Sequence, residues 1–425
     1  MKHTINTALF LFAFFTLANI QAQKGILLEN FNLIDGTGTN IQKNKSLLIV
    51  ADTIHSIFDF GKKVPIDNYD KIDLTGKYLL PGLFDAHTHL AANPSNKNLS
   101  TVKKQLNFMV SRGITGVRDM AGDARILSYL ARQAFTNEIM SPDIYYSALM
   151  GGPRFFSRDR RVIRGSKGIK VGDAPWMQSV DRNTDIKLAV ARAKGSGATG
   201  IKLYSSLNGD LINRITEEAH KQDLLVWAHA AIFPVLPSNI VDANVNGLSH
   251  STLWSSEQLV RMPEKGKRPI IDTVLTKNAP KLEALAVKMA QKNVYLDPTV
   301  LAFKNARPKS LYNNGTLASK IAFDKGVKLI VGTDRPYDVT NTNNLPLIEE
   351  MAALVNDAGI PALEIIKAAT KNSADFLKIG NEVGTIKIGK RANILIVDEN
   401  PLDDMKNLFK VFKVFKNGLL INNLK

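Results

Sequence analysis

Two histidines one residue apart close an apolar run, Leu79-Leu80-Pro81-Gly82-Leu83-Phe84-Asp85-Ala86-His87-Thr88-His89. On a β-strand, residues i and i+2 face the same way, so His87 and His89 would project together from the strand's end. One strand can offer two imidazoles to a metal ion in that way. The plainer alternative is a pair of hydrogen-bonded histidines at a loop start, so the pair needs partners elsewhere in the chain. Two later apolar runs also end in histidine: Leu224-Leu225-Val226-Trp227-Ala228 in His229, and Val245-Asn246-Gly247-Leu248-Ser249 in His250. The run from Val327 to Thr333 ends in Asp334. Each residue alone reads as well as a hydrogen-bonded strand end, but together they form a metal-ligand set. His55, in a β-rich stretch, and His220, inside a polar helical stretch, are assigned to the surface.

Lys202 lies between apolar neighbours in Gly200-Ile201-Lys202-Leu203-Tyr204. A lysine there would point into the same space, where an unpaired ammonium is costly. Reaction of its amine with carbon dioxide would give a carbamate, a carboxylate-like ligand able to bridge two metal ions. The alternative is an ordinary lysine that reaches solvent or pairs with Asp334. Tyr204, two residues further on, shares the face of Lys202 and could reach a substrate, with a packed barrel tyrosine as the alternative.

These residues need strands to carry them. After Leu80 the chain repeats apolar strand, polar loop and amphipathic helix. Candidate strands are the run before His87, Gly116–Arg118, Ile144–Tyr146, Gly200–Tyr204, Leu224–Trp227, Val245–Ser249, Val294–Leu296 and Val327–Val331. Candidate helices are Thr101–Arg112, Asp185–Lys194, Gly209–Gln222, Leu282–Gln291 and Leu345–Asp357. Eight such units predict an α/β fold, a (β/α)8 TIM barrel whose catalytic residues sit at the C-terminal ends of its strands. Short strands and turns fill Gly25–Asp73 and return after Asn381, where Asn417-Gly418 between apolar runs is a strong hairpin signal. The expected organisation is a barrel domain over 79–372, with a small β-sandwich domain formed from 23–78 and 373–425.

The 425 residues contain no cysteine. That excludes disulfides, a thiol nucleophile and cysteine ligands, leaving His, Asp, Glu or a modified Lys to hold any metal. Residues 1–22 combine Lys2 with the apolar run Ala8–Ala18 and end in Asn19-Ile20-Gln21-Ala22. They read as a secretory signal peptide and predict an exported, periplasmic or secreted protein. Their apolar core is too short to span a membrane, and no later stretch supplies a span. The formal net charge is +16, and removing residues 1–22 takes away only Lys2. The cations are spread along the chain, which fits a solvated basic surface better than a nucleic-acid site. Association into a homo-oligomer is left open.

The set Pro81-Gly82-Leu83-Phe84-Asp85-Ala86-His87-Thr88-His89, Lys202, His229, His250 and Gly332-Thr333-Asp334 resembles the amidohydrolase superfamily, in particular its imidazolonepropionase-like and prolidase-like branch. Ile34-Asp35-Gly36-Thr37-Gly38 looks like its opening strand, Thr115-Gly116-Val117-Arg118-Asp119 like its second barrel strand, and Gly384 to Asn393 like its closing sheet. The resemblance implies that His87 and His89 hold a buried metal, that Lys202 as carbamate bridges, and that His229 and His250 hold a second metal. Asp334 would be both ligand and proton carrier. Two departures stand out. Asn393 takes the place of a usual aspartate, and the Thr-Gly-Gly-His segment of dipeptidase-like members is replaced by Gly151-Gly152-Pro153-Arg154 through Lys170. That segment holds Arg154, Arg158, Arg160, Arg161, Arg164, Lys167 and Lys170 against Asp159. It reads either as cover for an anionic substrate group, with Arg154 foremost, or as a solvated basic loop.

The function expected from this set is hydrolysis of an amide or other C–N bond in a small molecule such as a dipeptide, an N-acyl amino acid or a cyclic amide. Two divalent ions would share an activated hydroxide. Zinc suits the ligands, as do manganese, cobalt or iron. The rivals are a one-metal deaminase or a lactonase of the same fold and, from another class, a non-catalytic polyanion-binding protein. A deaminase would carry a glutamate soon after the fifth-strand histidine, and Leu224–Val241 holds no acidic residue.

Overall fold

The computed structural model describes residues 24–92, 99–261, 270–341 and 344–421; the leader assigned to residues 1–22 lies outside these. The short apolar runs become seven parallel strands: Leu83–Thr88, Ile114–Asp119, Asp143–Gly151, Gly200–Leu203, Leu225–His229, Gly247–Ser249 and Tyr295–Asp297. Each pairs with the next. The segment expected as the eighth strand makes one parallel bridge, Leu329 to Leu296. It then returns to the first strand, Val331 O accepting from Ala86 N at 2.8 Å and Asp334 N donating to His87 O at 2.9 Å. The result is a nearly closed parallel barrel. The eighth segment passes close against the first and seventh strands: a Cβ on Gly332 would lie 2.4 Å from His87 Cβ and 2.5 Å from Asp297 Oδ1. Only glycine permits that approach.

Helices cover the barrel as the apolar periodicity predicts. In Gly209–Lys221, Leu211, Ile212, Ile215 and Ala219 face inward, and the Asn208 side chain caps the first turn by accepting from Leu211 N. Leu99–Ser111, Ile186–Gly195, Pro280–Gln291 and Pro346–Asn356 fall where the sequence places helices. Two further helices, Ala124–Phe135 and Ser310–Asp324, follow the second and seventh strands. The first shows the inward spacing Leu127, Leu130, Ala134 and an Asp123 cap. Among the described residues no helix is long and apolar enough to cross a membrane.

A second, mixed sheet of eight strands joins the two ends of the chain. Tyr78–Pro81 lies between Gly25–Leu33, with which it is parallel, and Ile394–Val397, with which it is antiparallel. The hairpin expected at Asn417-Gly418 is present between Val411–Lys416 and Leu419–Ile421, both turn residues having positive φ (49° and 73°). The apolar run leading to His87 thus serves both sheets and changes from one to the other at Gly82. A Cβ on Gly82 would lie 2.3 Å from the Thr115 side chain. Where the C-terminal strands meet the start of the third barrel strand, the half-buried Arg391 and the buried Lys416 converge on Asp143, at 3.1 and 2.7 Å. The basic segment after the third strand folds into the short helices Pro153–Phe156 and Arg160–Gly165. A small hairpin follows, Asp173–Ala174 with Met177–Ser179, whose second strand pairs in parallel with Asp143–Gly151.

Candidate functional site

His87 lies at the end of the first strand, Lys202 on the fourth and His229 at the end of the fifth, while His89, His250 and Asp334 stand one residue beyond the first strand, the sixth strand and the eighth segment. All six line one cavity of about 540 Å³ at the C-terminal ends of the strands. Ring centroids are 5.4 Å apart for His87 and His89, 5.0 Å for His87 and His250, and 4.6 Å for His229 and His250. Asp334 Oδ1 lies 3.2 Å from His89 Nε2 and 3.9 Å from His87 Nε2. His250 and Asp334 both take a positive φ, 77° and 49°. For residues other than glycine this conformation is costly and is held only by the surrounding structure.

Burial sets the charge states. It lowers the His87 and His250 imidazoles well below the usual range and His229 to about 3, so these rings are neutral at physiological pH. Neutral imidazole is the metal-binding form. Burial, aided by the nearby Arg118 charge, lowers the Lys202 amine to about 7. Its Nζ donates to Ser249 Oγ at 3.1 Å. Burial alone would raise Asp334. The neighbouring His87, the hydrogen bond from His89 and the Lys202 charge outweigh it and hold the carboxyl below the usual range.

Whether the residues fit a metal can be judged from their outer hydrogen bonds. Nδ1 of His87 meets Asp297 Oδ2 at 2.7 Å, Nδ1 of His229 meets Ala231 O at 3.2 Å, and Nδ1 of His250 meets Thr299 Oγ1 at 2.7 Å. Each contact orients a ring and leaves Nε2 for a ligand, the usual arrangement around metal-binding histidines. One candidate ligand atom from each of His87, His250 and Asp334 lies within 4.8 Å of the others. The donor set therefore fits a divalent ion.

Buried acids fix these outer partners, and the sequence did not single them out. Asp85 accepts from His87 N and Thr333 N through Oδ1, at 3.0 and 3.1 Å, and from Thr333 Oγ1 and Tyr337 OH through Oδ2, at 2.8 and 2.7 Å. It ties the first strand to the turn that carries Asp334. Glu350 accepts from Val300 N at 2.7 Å and Leu301 N at 2.8 Å, holding the turn that carries Thr299. Burial raises both carboxyls, Asp85 to about 7 and Glu350 to about 8. The available signal was an acid inside an otherwise apolar strand or helix, as at Asp85 in Leu83-Phe84-Asp85-Ala86.

Of the residues expected to bind substrate, Tyr204 lines the cavity, its ring 4.7 Å from that of His229 and 4.9 Å from that of Phe155. Arg154 does not line it. In Pro153–Phe156 the two phenylalanines turn inward, which leaves Arg154 exposed. Arg161 of the same basic segment does line the cavity, where it is ion-paired with Asp159 at 2.6 Å and reaches Tyr204 OH at 3.4 Å. Arg335 is a second cation on the wall, and Leu90, Leu149, Val162, Met177 and Phe303 give it an apolar lining. His55 and His220 are exposed on the surface as assigned.

Comparison with known proteins agrees with this geometry. The amidohydrolase family model matches residues 78–421. A 5-methylthioadenosine/S-adenosylhomocysteine deaminase of Thermoanaerobacter pseudethanolicus is 23% identical over 396 residues, covering 84% of this chain and 81% of the relative. Ochratoxinase of Aspergillus niger is 25% identical, covering 91% of this chain and 85% of its own. The crystal structure of a Xaa-Pro dipeptidase with bound methionine in the active site shares the fold, with a TM-score of 0.74 at 20% identity over 93% of this chain and 99% of that one. Matched from the last strand before the barrel to the end of the closing hairpin, the chain belongs to the amidohydrolase family and is a hydrolase acting on carbon–nitrogen bonds.

Proposed function

We propose that the cavity is a binuclear hydrolytic centre for an amide or related C–N bond of a small molecule. His87 and His89 would hold the inner ion, His229 and His250 the outer one, and Asp334 would be a further ligand. Lys202, as a carbamate, would bridge. One observation carries this reading: six side chains from five strand ends meet in one cavity, with the buried histidines neutral and oriented from behind. The lowering of the Lys202 amine to about 7 supports the carbamate, because only the unprotonated amine reacts with carbon dioxide.

Divalent metal, with zinc first among the ions that suit these donors, supplies a hydroxide at neutral pH and polarises the attacked carbonyl. The rest is done by the chain. Asp334, ionised and 27% exposed at the cavity floor, is placed to accept the nucleophile's proton and return it to the departing nitrogen. Tyr204 and the apolar wall hold the substrate's side chain, and Arg161 and Arg335 offer charge to an anionic end. The architecture that goes with this reading is a barrel domain over 79–372 and a β-sandwich made of 23–78 with 373–425. Residues 1–22 would act as an export signal for a periplasmic or secreted enzyme with no nucleic-acid partner.

The compact group of His87, His250 and Asp334 favours a second reading, a mononuclear deaminase. Metal analysis together with a panel of dipeptides, N-acyl amino acids, cyclic amides and aminopurines, run in bicarbonate and zinc, separates the two. About two ions per chain, falling to one in Lys202→Ala, with amide cleavage, is expected. One ion unaffected by Lys202→Ala, with ammonia release from an aminopurine, would establish the deaminase.

A further inference from the structure

The second barrel strand, Ile114–Asp119, supplies none of the six candidate ligands, yet it places the guanidinium of Arg118 in the barrel interior with 1% of the residue exposed. A buried charge costs several kcal/mol unless its partners compensate, so its contacts should reveal what it does. Arg118 Nε donates to Ala86 O at 2.5 Å, and Nη2 donates to Asp297 Oδ2 at 3.1 Å. Ala86 immediately precedes His87. Asp297 Oδ2 is the same atom that meets His87 Nδ1, at 2.7 Å. The two bonds thus hold His87 from both sides, through the backbone before it and through the carboxylate behind its ring. The guanidinium rests against two adjoining aromatic rings, 4.7 Å from that of Trp227 and 5.0 Å from that of Phe376. Trp227 lies two residues before His229 on the fifth strand. Lysine could not reproduce this fork, because its ammonium offers no fixed pair of divergent donors.

We propose that Arg118 is the positioning residue of the metal centre. It holds Asp297 and the Ala86 carbonyl so that His87 presents Nε2, and not Nδ1, to the ion. The inference rests on the metal-centre reading above and assigns Arg118 no contact with substrate.

The test uses the full chain, apo and zinc-loaded, with zinc affinity measured by competition with a chromophoric chelator and folding followed by circular dichroism. Arg118→Met and Asp297→Asn are each expected to weaken zinc binding about 10- to 100-fold, the usual effect of losing an outer partner of a metal-bound histidine. Because Arg118 and Asp297 share one of the two routes to His87, the losses in the double variant should be less than additive. Arg118→Lys keeps the charge but not the fork, and should lose affinity in the folded protein even if Arg118→Met does not fold. A purely structural role would lower the melting temperature and leave the affinity of the folded protein within twofold of wild type. That result, or strictly additive losses in the double variant, would overturn the proposal. A wild-type chain that takes up no zinc would overturn the metal reading itself, and this inference with it.

Discussion

The barrel buries charge at both ends, in opposite ways. At the N-terminal end of the third strand, Asp143 is matched oxygen by oxygen, Oδ1 with Lys416 and Oδ2 with Arg391, and Arg391 continues to Glu382 at 3.0 Å. At the C-terminal end the pairing is incomplete. Lys202 has a serine hydroxyl for a partner, Asp297 Oδ1 has no hydrogen-bond partner among the described residues, and three neutral histidines lie close together. A buried carboxylate with a cation on each oxygen joins parts, whereas an amine and a carboxylate left short of partners keep donor atoms for something that binds. The two ends should therefore fail differently when broken.

The largest effect belongs to the open end. Asp334→Asn removes both a ligand and the proton carrier, and turnover should fall by roughly three orders of magnitude or more. Circular dichroism of the apo protein should show little change in melting temperature; a large loss of stability would mean that the two ends do not differ as described. At the N-terminal end, Lys416→Met leaves Asp143 buried with one cation in place of two. It should cost about 3 kcal/mol in denaturant unfolding, while kcat/KM per folded molecule stays at the wild-type value.

A third prediction concerns pH. Burial depresses Lys202 to about 7 from an ordinary 10.5. Below about 7 the amine is protonated both folded and unfolded, and the cost of burying an ammonium is present in full. Between about 7 and 10.5 the unfolded chain binds the extra proton, so the Lys202 contribution raises stability with pH across that window. In metal-free, carbonate-free buffer, Lys202→Met should be more stable than wild type by about 1 to 3 kcal/mol at pH 6. The advantage should shrink towards pH 10; a constant difference across that range would count against an uncompensated ammonium. The smallest effect is at the rim, where Arg154→Ala should leave stability within about 0.5 kcal/mol and kcat/KM within twofold.

The barrel was legible because its strands are short apolar runs ended by chemically distinctive residues. His87, His89, His229, His250 and Asp334 could be picked out from position alone, and the structure brings them together with Lys202 in one cavity. The outer residues were harder to see. Asp85, Arg118, Asp297 and Glu350 act on partners far away in sequence: Asp297 is 210 residues from His87, and Asp85 is 248 from Thr333. No spacing rule links residues so distant. Arg154 was preferred over Arg161 because both lie in one basic segment, and only the inward turn of Phe155 and Phe156 decides which arginine faces the cavity. The eighth strand was expected from the mostly apolar run Val327–Val331; that segment makes one parallel bridge, and the close approach of Gly332 to His87 just beyond it is a tertiary contact that no local pattern announces.

The strand Tyr78–Pro81 has a consequence for the order of assembly. One of its edges pairs with Gly25–Leu33 and the other with Ile394–Val397. As the chain emerges from the ribosome, that second edge stays unpaired until the whole barrel has been synthesised. An open apolar edge invites the wrong neighbour, and pairing across so long a stretch of sequence is slow to form. The barrel can close first, but the sheet that joins the two ends is finished last, and a nascent chain stalled before Ile394 would present a ready template for aggregation.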